Sequence, residues 1–235
     1  MSRDVIFLPN SADEWLAIAC DNSGGIGEKE RDIVHVPYEM VIDYGLRVAF
    51  MELFAVGAKP NALIVQNFVH DDVWPLIEKG RDKICKELSI EPILLSGSTE
   101  SNFSLLQSAL GFTVIGKVKK DHVKVGMTPK GAAIALIGKP LVGKEVIDNE
   151  HEMAPLSLFK TLLHHPGVYE IVPCGSKGIF HECKLLNETF VSHPSIDLQK
   201  SAGPATCFVM TYNQTYEQQL QTIAKTHFHK LKQDV

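Results

Sequence analysis

Residues 47–60 read Arg47-Val48-Ala49-Phe50-Met51-Glu52-Leu53-Phe54-Ala55-Val56-Gly57-Ala58-Lys59-Pro60. With the residues before them they set Ile42, Leu46, Ala49, Phe50, Leu53 and Phe54 at helical spacing, which predicts a helix over Tyr38 to Val56. Gly57 stands where a left-handed cap would end that helix, and Pro60 blocks its continuation. Ala62 to Phe68 then predicts a buried strand. Glu52 is the exception in an apolar run. An unpaired carboxylate is costly to bury, so Glu52 must face a cation, a partner or a cleft. Asp43 falls on the opposite helix face from Glu52, and the four-residue spacing of Asp43 and Arg47 predicts a surface ion pair.

Upstream, Val5 to Leu8 and Leu16 to Cys20 predict a strand pair joined by the polar turn Pro9 to Asp13. The second strand runs into Asp21-Asn22-Ser23-Gly24-Gly25-Ile26-Gly27. Downstream, an amphipathic helix is predicted over Asp71 to Leu88, acidic at its start and basic at its end as the helix dipole prefers. Strands follow at Ile93 to Leu95 and Phe112 to Lys117, separated by a polar loop from Ser96 to Ser104. Charges, Gly126 and Pro129 mark a boundary near residue 120, which predicts domains at 1–120 and 121–235. In the second half a strand is predicted at Ala132 to Ile137 and a helix at Met153 to His164. A glycine turn at Gly175 to Gly178 leads into another helix, and a last strand at Cys207 to Thr211 precedes a polar helix from Tyr216. The whole reads as a mixed α+β protein of two halves.

Composition narrows the function. Hydrophobic residues make up 45% and charged residues 22% of the 235, which excludes a disordered, collagenous or coiled-coil chain. A net charge of -5 and a pI of about 6.1 argue against a dedicated nucleic-acid binder. Lys117, Lys119, Lys120, Lys124 and Lys130 are read as solvated strand ends and loop positions. The longest apolar stretch is far below the roughly 18 residues of a membrane span, and no signal-peptide pattern is present. Five cysteines without Cys-x-x-Cys spacing read as reduced thiols, so a cytoplasmic protein is expected.

Chemistry concentrates in a few places. An aspartate followed by glycines suits a hard cation held through oxygen and a backbone that approaches phosphate closely, with Lys29 and Arg31 just beyond. The same residues suit a flexible hairpin turn capped by Asp21. Neither a Walker A loop nor a Rossmann fingerprint is present. Ser96-Gly97-Ser98-Thr99-Glu100 and Gly175-Ser176-Lys177-Gly178 each follow a predicted strand, where α/β proteins set ligands; either is equally an ordinary turn. The ten histidines form no zinc motif, and no Gly-x-Ser-x-Gly elbow occurs.

Asp21-x-x-Gly-Gly-Ile-Gly, followed by the 47–60 block, resembles the aminoimidazole ribonucleotide synthetase superfamily, which includes thiamine-monophosphate kinase and selenophosphate synthetase. Glu52 stands at the family's metal-binding aspartate, and Ser96-Gly97-Ser98-Thr99 stands where the family has Gly-Gly-Asp-Thr. Phe112 to Gly116 matches the strand that closes the first domain. Gly175 to Ile179 and Ser201-Ala202-Gly203-Pro204 match the second domain more weakly.

The resemblance implies a homodimer whose N-terminal domains share a β-barrel, with ATP and Mg²⁺ as cofactors. It implies metal at Asp21 and Glu52, with Glu100 substituting for the acid lost at Ser98. Nucleotide contacts would come from Gly24, Gly25, Gly27, Lys29, Gly97, Ser98 and Thr99, and acceptor contacts from Gly175, Ser176 and Lys177. Asp21 and Glu52 would also be the catalytic pair. Ser98 for Asp, Ala49 for Asn and a shortened second domain are departures from the pattern. The implied activity is an ATP-dependent kinase acting on the hydroxyl of a small nucleoside-like acceptor, with α-ribazole kinase the member most alike. A synthetase or cyclase and a catalytically inactive nucleotide binder are the alternatives.

Overall fold

The computed structural model describes residues 3–187 and 191–233. The chain is mixed α+β and divides into two compact units, one spanning Asp4–Val123 and the other running from Lys124 onward together with Arg3.

In the first unit, β1 (Val5–Pro9), β2 (Glu14–Gly24), β3 (Ile26–Gly27) and β4 (Val34–His35) precede α1 (Tyr38–Ala55). β5 (Lys59–Asn67), α2 (Trp74–Glu87), β6 (Leu94–Thr99) and β7 (Ala109–Lys119) complete it. Five of these strands form one sheet in the order β1-β2-β7-β5-β6. Only β5 and β6 are parallel; the other neighbours are antiparallel. Side chains alternate across the sheet, so Ala17 and Ala19 of β2, Leu63 and Val65 of β5, and Leu110, Phe112 and Val114 of β7 are all buried. α1 packs on that face: a Cβ on its Gly45 would collide with the Phe112 ring, and Leu53 lies 2.8 Å from where a Cβ on Gly116 would stand.

The helix end follows the sequence closely. Gly57 has φ +86, its N–H donates to Phe54 O at 2.9 Å, and the Ala58 N–H donates to Leu53 O at 3.2 Å. These two bonds satisfy carbonyls that the last turn would otherwise leave open. Other expectations are corrected. The polar stretch from Ser96 is strand as far as Thr99, because β6 pairs with β5 through Asn67↔Thr99 and this ladder outweighs the polarity of the side chains. Asp21 does not end its strand, since β7 pairs with β2 as far as Gly24. Asp43 bonds to Lys83 of α2, and Arg47 is buried at 4% exposure and does not lie at the surface.

The second unit holds β8 (Ala133–Ile137), α3 (Lys144–Asp148), α4 (Leu156–Leu163), β9 (Val168–Pro173), α5 (Ile179–Asn187), β10 (Val191–Ser192), β11 (Phe208–Tyr212), α6 (Glu217–Ala224), β12 (Phe228–Lys230) and β13 (Lys232–Gln233). Its main sheet has the order β12-β8-β11-β9. β9 is not legible in the sequence because Glu170 interrupts its apolar run. Glu170 is nevertheless buried, accepting from Arg3 Nη2 at 2.6 Å and from the Gly126 and Thr128 N–H groups at 3.0 and 2.7 Å. Cys207 to Thr211 is not the last strand, since the short β12 and β13 follow it.

Candidate functional site

The strand registers define rows across the first unit's sheet. One row runs Asp21–Phe112–Val65–Gly97, and the next runs Ser23–Leu110–Asn67–Thr99. Both lie on the helix-covered face. Beyond them the chain leaves β2, β5 and β6 and enters β7, so this end of the sheet gathers the glycine segment, Phe68, Glu100 and Ser108. The end strands of each row stand about 14 Å apart, three inter-strand spacings.

Asp21 is half-buried, and its pKa is pushed up from 3.8 to about 6, chiefly by burial and only partly offset by the Asn22 backbone bond. Two residues on, Ser23 Oγ is fully buried with no hydrogen-bond partner among the described residues. A half-buried carboxyl on the same strand face as a hydroxyl lacking a partner is a site with unmet polar demand.

The glycine segment is fixed in place and is not a flexible hairpin. The Gly25 N–H donates to Ser108 O at 2.8 Å, and Gly27 O accepts from the Val36 N–H at 3.0 Å. Its anchor is Asp32, which sequence reasoning missed. The Asp32 carboxylate accepts from the Lys29 N–H at 2.9 Å, and from the Ser108 N–H and hydroxyl, each at 2.7 Å. Burial works against its ionisation, but these bonds outweigh burial and hold its pKa below the ordinary value. Because Ser108 donates to Asp32, the Tyr38 hydroxyl donates to Ser108 Oγ, 2.9 Å away. A Cβ on Gly27 would come within 2.6 Å of both Ser108 Oγ and the Tyr38 ring, so this glycine serves close packing. Lys29 Nζ reaches the carbonyls of Phe68 and Gln107 at 3.2 and 3.5 Å, bridging two of the chain segments at this end.

At the far side of the row, Thr99 Oγ1 accepts from Asn67 Nδ2 at 3.2 Å and from Trp74 Nε1 at 2.8 Å. Gly97 has no room for a side chain: a Cβ would strike Val65 O and approach the Trp74 ring to 2.7 Å. Strand alternation turns Ser98 to the other face, opposite Gln66. The Glu100 carboxylate accepts from the N–H groups of Asn102 and Phe103 at 2.7 and 3.3 Å and so shapes its own loop.

Glu52 lies elsewhere. Gly45 stands over Phe112 in the Asp21 row, whereas Leu53, beside Glu52, stands over Gly116, the partner of Ala17. Those two helix positions are about 12 Å apart along α1. Glu52 is buried at 9% exposure, but no nearby carboxylate contributes to the Asp21 shift. Among the described residues no three His, Cys, Asp or Glu side chains gather into a metal cluster. Asp21, Glu52 and Glu100 do not gather into a three-carboxylate cluster. Asp21 with Ser23 offers one carboxylate and one hydroxyl. Oxygen donors in that number fit a Mg²⁺ ion held mostly by nucleotide phosphates and water.

In the second unit, Gly175 to Gly178 joins β9 to α5 as a turn closed by Gly178 N–H to Gly175 O at 3.2 Å. Gly178 has φ +80, and Ser176 and Lys177 are exposed. No described helix is long and apolar enough to cross a membrane.

No protein-family model and no curated protein matches the chain. Solved structures do. The Thermotoga maritima PurL complexed with ADP aligns at TM-score 0.64 and 11% identity over 100% of this chain and 42% of that chain. The tt0281 protein of Thermus thermophilus aligns at 0.63 and 14%, covering 98% and 84%. AaThiL complexed with AMPPCP and TMP aligns at 0.59 and 12%, covering 99% and 84%. The chain thus spans less than half of PurL and most of the other two. At these identities the likeness is one of architecture: the chain shares the fold of PurL, tt0281 and AaThiL.

Proposed function

We propose that the chain binds ATP at the Asp21–Thr99 end of its first sheet and transfers the γ-phosphoryl group to the hydroxyl of a small nucleoside-like acceptor. The carrying observation is the desolvated Asp21 carboxyl beside the unpartnered Ser23 hydroxyl, next to the glycine segment. Bound nucleotides in PurL and AaThiL, proteins of the same fold, support the choice of ligand. A Mg²⁺ ion would be held by Asp21 and would neutralise phosphate charge. Lys29 adds a cation at the same sheet end. In the transfer the acceptor oxygen bonds to phosphorus, the bond to the ADP oxygen breaks, and the acceptor's hydroxyl proton leaves to water. ADP release from Mg²⁺-ATP should appear with a riboside in a panel that includes α-ribazole, vitamin precursors and ribonucleotides. ADP release only with a phosphorylated amide would overturn the kinase reading in favour of a synthetase.

A second reading, a nucleotide binder without turnover, is favoured by the separation of Glu52 from Asp21 and by the orientation of Ser98. It predicts ADP binding by calorimetry with no turnover across the panel.

We also propose that the chain forms a homodimer through the face of the sheet away from the helices. One row there is apolar across all five strands: Ile6, Ile18, Ile115, Ala62 and Leu94, with Ile6 60% and Leu94 77% exposed. Such a stripe is a normal mark of an interaction surface. Ile115→Lys should convert a dimer to a monomer in light scattering; an unchanged mass would exclude this face.

A further inference from the structure

Thr99 is more constrained than its exposure suggests. Asn67 is buried at 1% exposure and its amide is locked: Oδ1 accepts from the Val69 N–H at 2.9 Å, and Nδ2 donates to the His70 carbonyl at 2.8 Å. Reversing the amide would set donor against donor and acceptor against acceptor, so Nδ2 is the atom that faces Thr99. Its second hydrogen goes to Thr99 Oγ1. The Trp74 indole nitrogen, which only donates, goes to the same oxygen. A threonine hydroxyl has two lone pairs and one proton. Both lone pairs are taken, and among the described residues no acceptor receives the proton.

We infer that Asn67 and Trp74 are positioning residues that turn Thr99 into an obligate, outward hydrogen-bond donor for an anionic oxygen of the bound ligand, a nucleotide phosphate. The inference rests on the proposed nucleotide site and adds to it a defined donor and the two side chains that aim it. Gly97 belongs to the same device, because any larger residue there would displace the Trp74 ring. A neutral hydroxyl held in this way costs little reorganisation when the ligand arrives, unlike a lysine that must be ordered.

The test is ADP calorimetry on Thr99→Ser, Thr99→Val and Trp74→Phe, with urea unfolding of each variant as the control for structure. Thr99→Ser keeps the hydroxyl and should bind within about twofold of wild type, whereas Thr99→Val should weaken ADP by about tenfold. Trp74→Phe frees one lone pair, lets the hydroxyl turn, and should weaken ADP by about threefold at retained stability. Equal binding by Thr99→Val, or equal losses for Ser and Val, would overturn the inference while leaving the nucleotide site intact. If Thr99→Val does not fold, unchanged binding by Trp74→Phe would overturn it. Failure of the wild-type protein to bind ADP would remove both the site and the inference.

Discussion

The two ends of the first unit's sheet use similar residues for opposite purposes. At one end, Asp21, Ser23, Asn67 and Thr99 occupy the helix-covered face, Trp74 holds the Thr99 hydroxyl, and Asp32 with Ser108 anchors the glycine segment that follows. At the other, Ala17 and Gly116 let α1 come down close to the strands, and Glu52 is enclosed there. Each end has a buried or half-buried acid and glycines facing a helix or a ring. What separates them is unmet hydrogen-bonding demand: among the described residues the first end has a hydroxyl without a partner and a hydroxyl proton without an acceptor, which is why we propose it as the binding end.

The largest expected effect tests the glycines. Gly97→Ala drives a Cβ into Val65 O and the Trp74 ring, and backbone cannot yield as a flexible side chain does. We expect a loss of about 3 kcal/mol in urea unfolding. A loss below about 1 kcal/mol would mean that Gly97 is there for a ligand and not for Trp74.

Next come the two acids. Asp21→Asn should reduce Mg²⁺-ATP turnover by about a hundredfold, equivalent to about 2.7 kcal/mol, while Glu52→Gln should stay within about threefold. Equal losses would break the distinction between the ends and return Glu52 to the site that the family pattern implies.

That pair also marks how far the sequence carries. α1, its Gly57 cap and β5 are legible because periodicity and a left-handed turn are local properties. The fold class follows from them. Which row of the sheet Glu52 would stand over is not legible, because it depends on how α1 lies across strands remote in sequence. Asp32 and Ser108 are 76 residues apart, and nothing in either segment names the other. Thr99 is visible as a hydroxyl near a glycine, but its two donors come from β5 and α2. The facing of Ser98 is not legible for a simpler reason: once 96–99 is strand and not loop, neighbouring residues must face opposite sides.

A smaller effect reads the desolvation of Asp21 directly. Its folded pKa, about 6, lies above the ordinary 3.8, so the fold favours the protonated form. The contribution to stability is complete below pH 3.8 and is lost as pH rises through about 6. Asp21→Asn should therefore be more stable than wild type at pH 8, by on the order of 2 kcal/mol once partial solvent screening is allowed for, and lose that advantage at about pH 3.5. Mg²⁺ with ADP should stabilise wild type but not the variant at pH 8. Matching pH–stability curves for the two proteins would show that Asp21 is solvated and that the binding end lacks its defining strain.

The smallest effect belongs to Gly24, the last residue of β2, where a Cβ would meet nothing within 4 Å. Packing gives no reason for glycine there, in contrast to Gly27 and Gly97. Gly24→Ala should change stability by less than about 0.5 kcal/mol. If the open space beside it receives a phosphate, the added methyl should weaken ADP about threefold, roughly 0.6 kcal/mol. Unchanged stability with weakened ADP would make Gly24 the glycine of the segment that serves the ligand. Unchanged stability with unchanged ADP would leave the binding function of this end to side chains alone: Asp21, Ser23, Lys29 and Thr99.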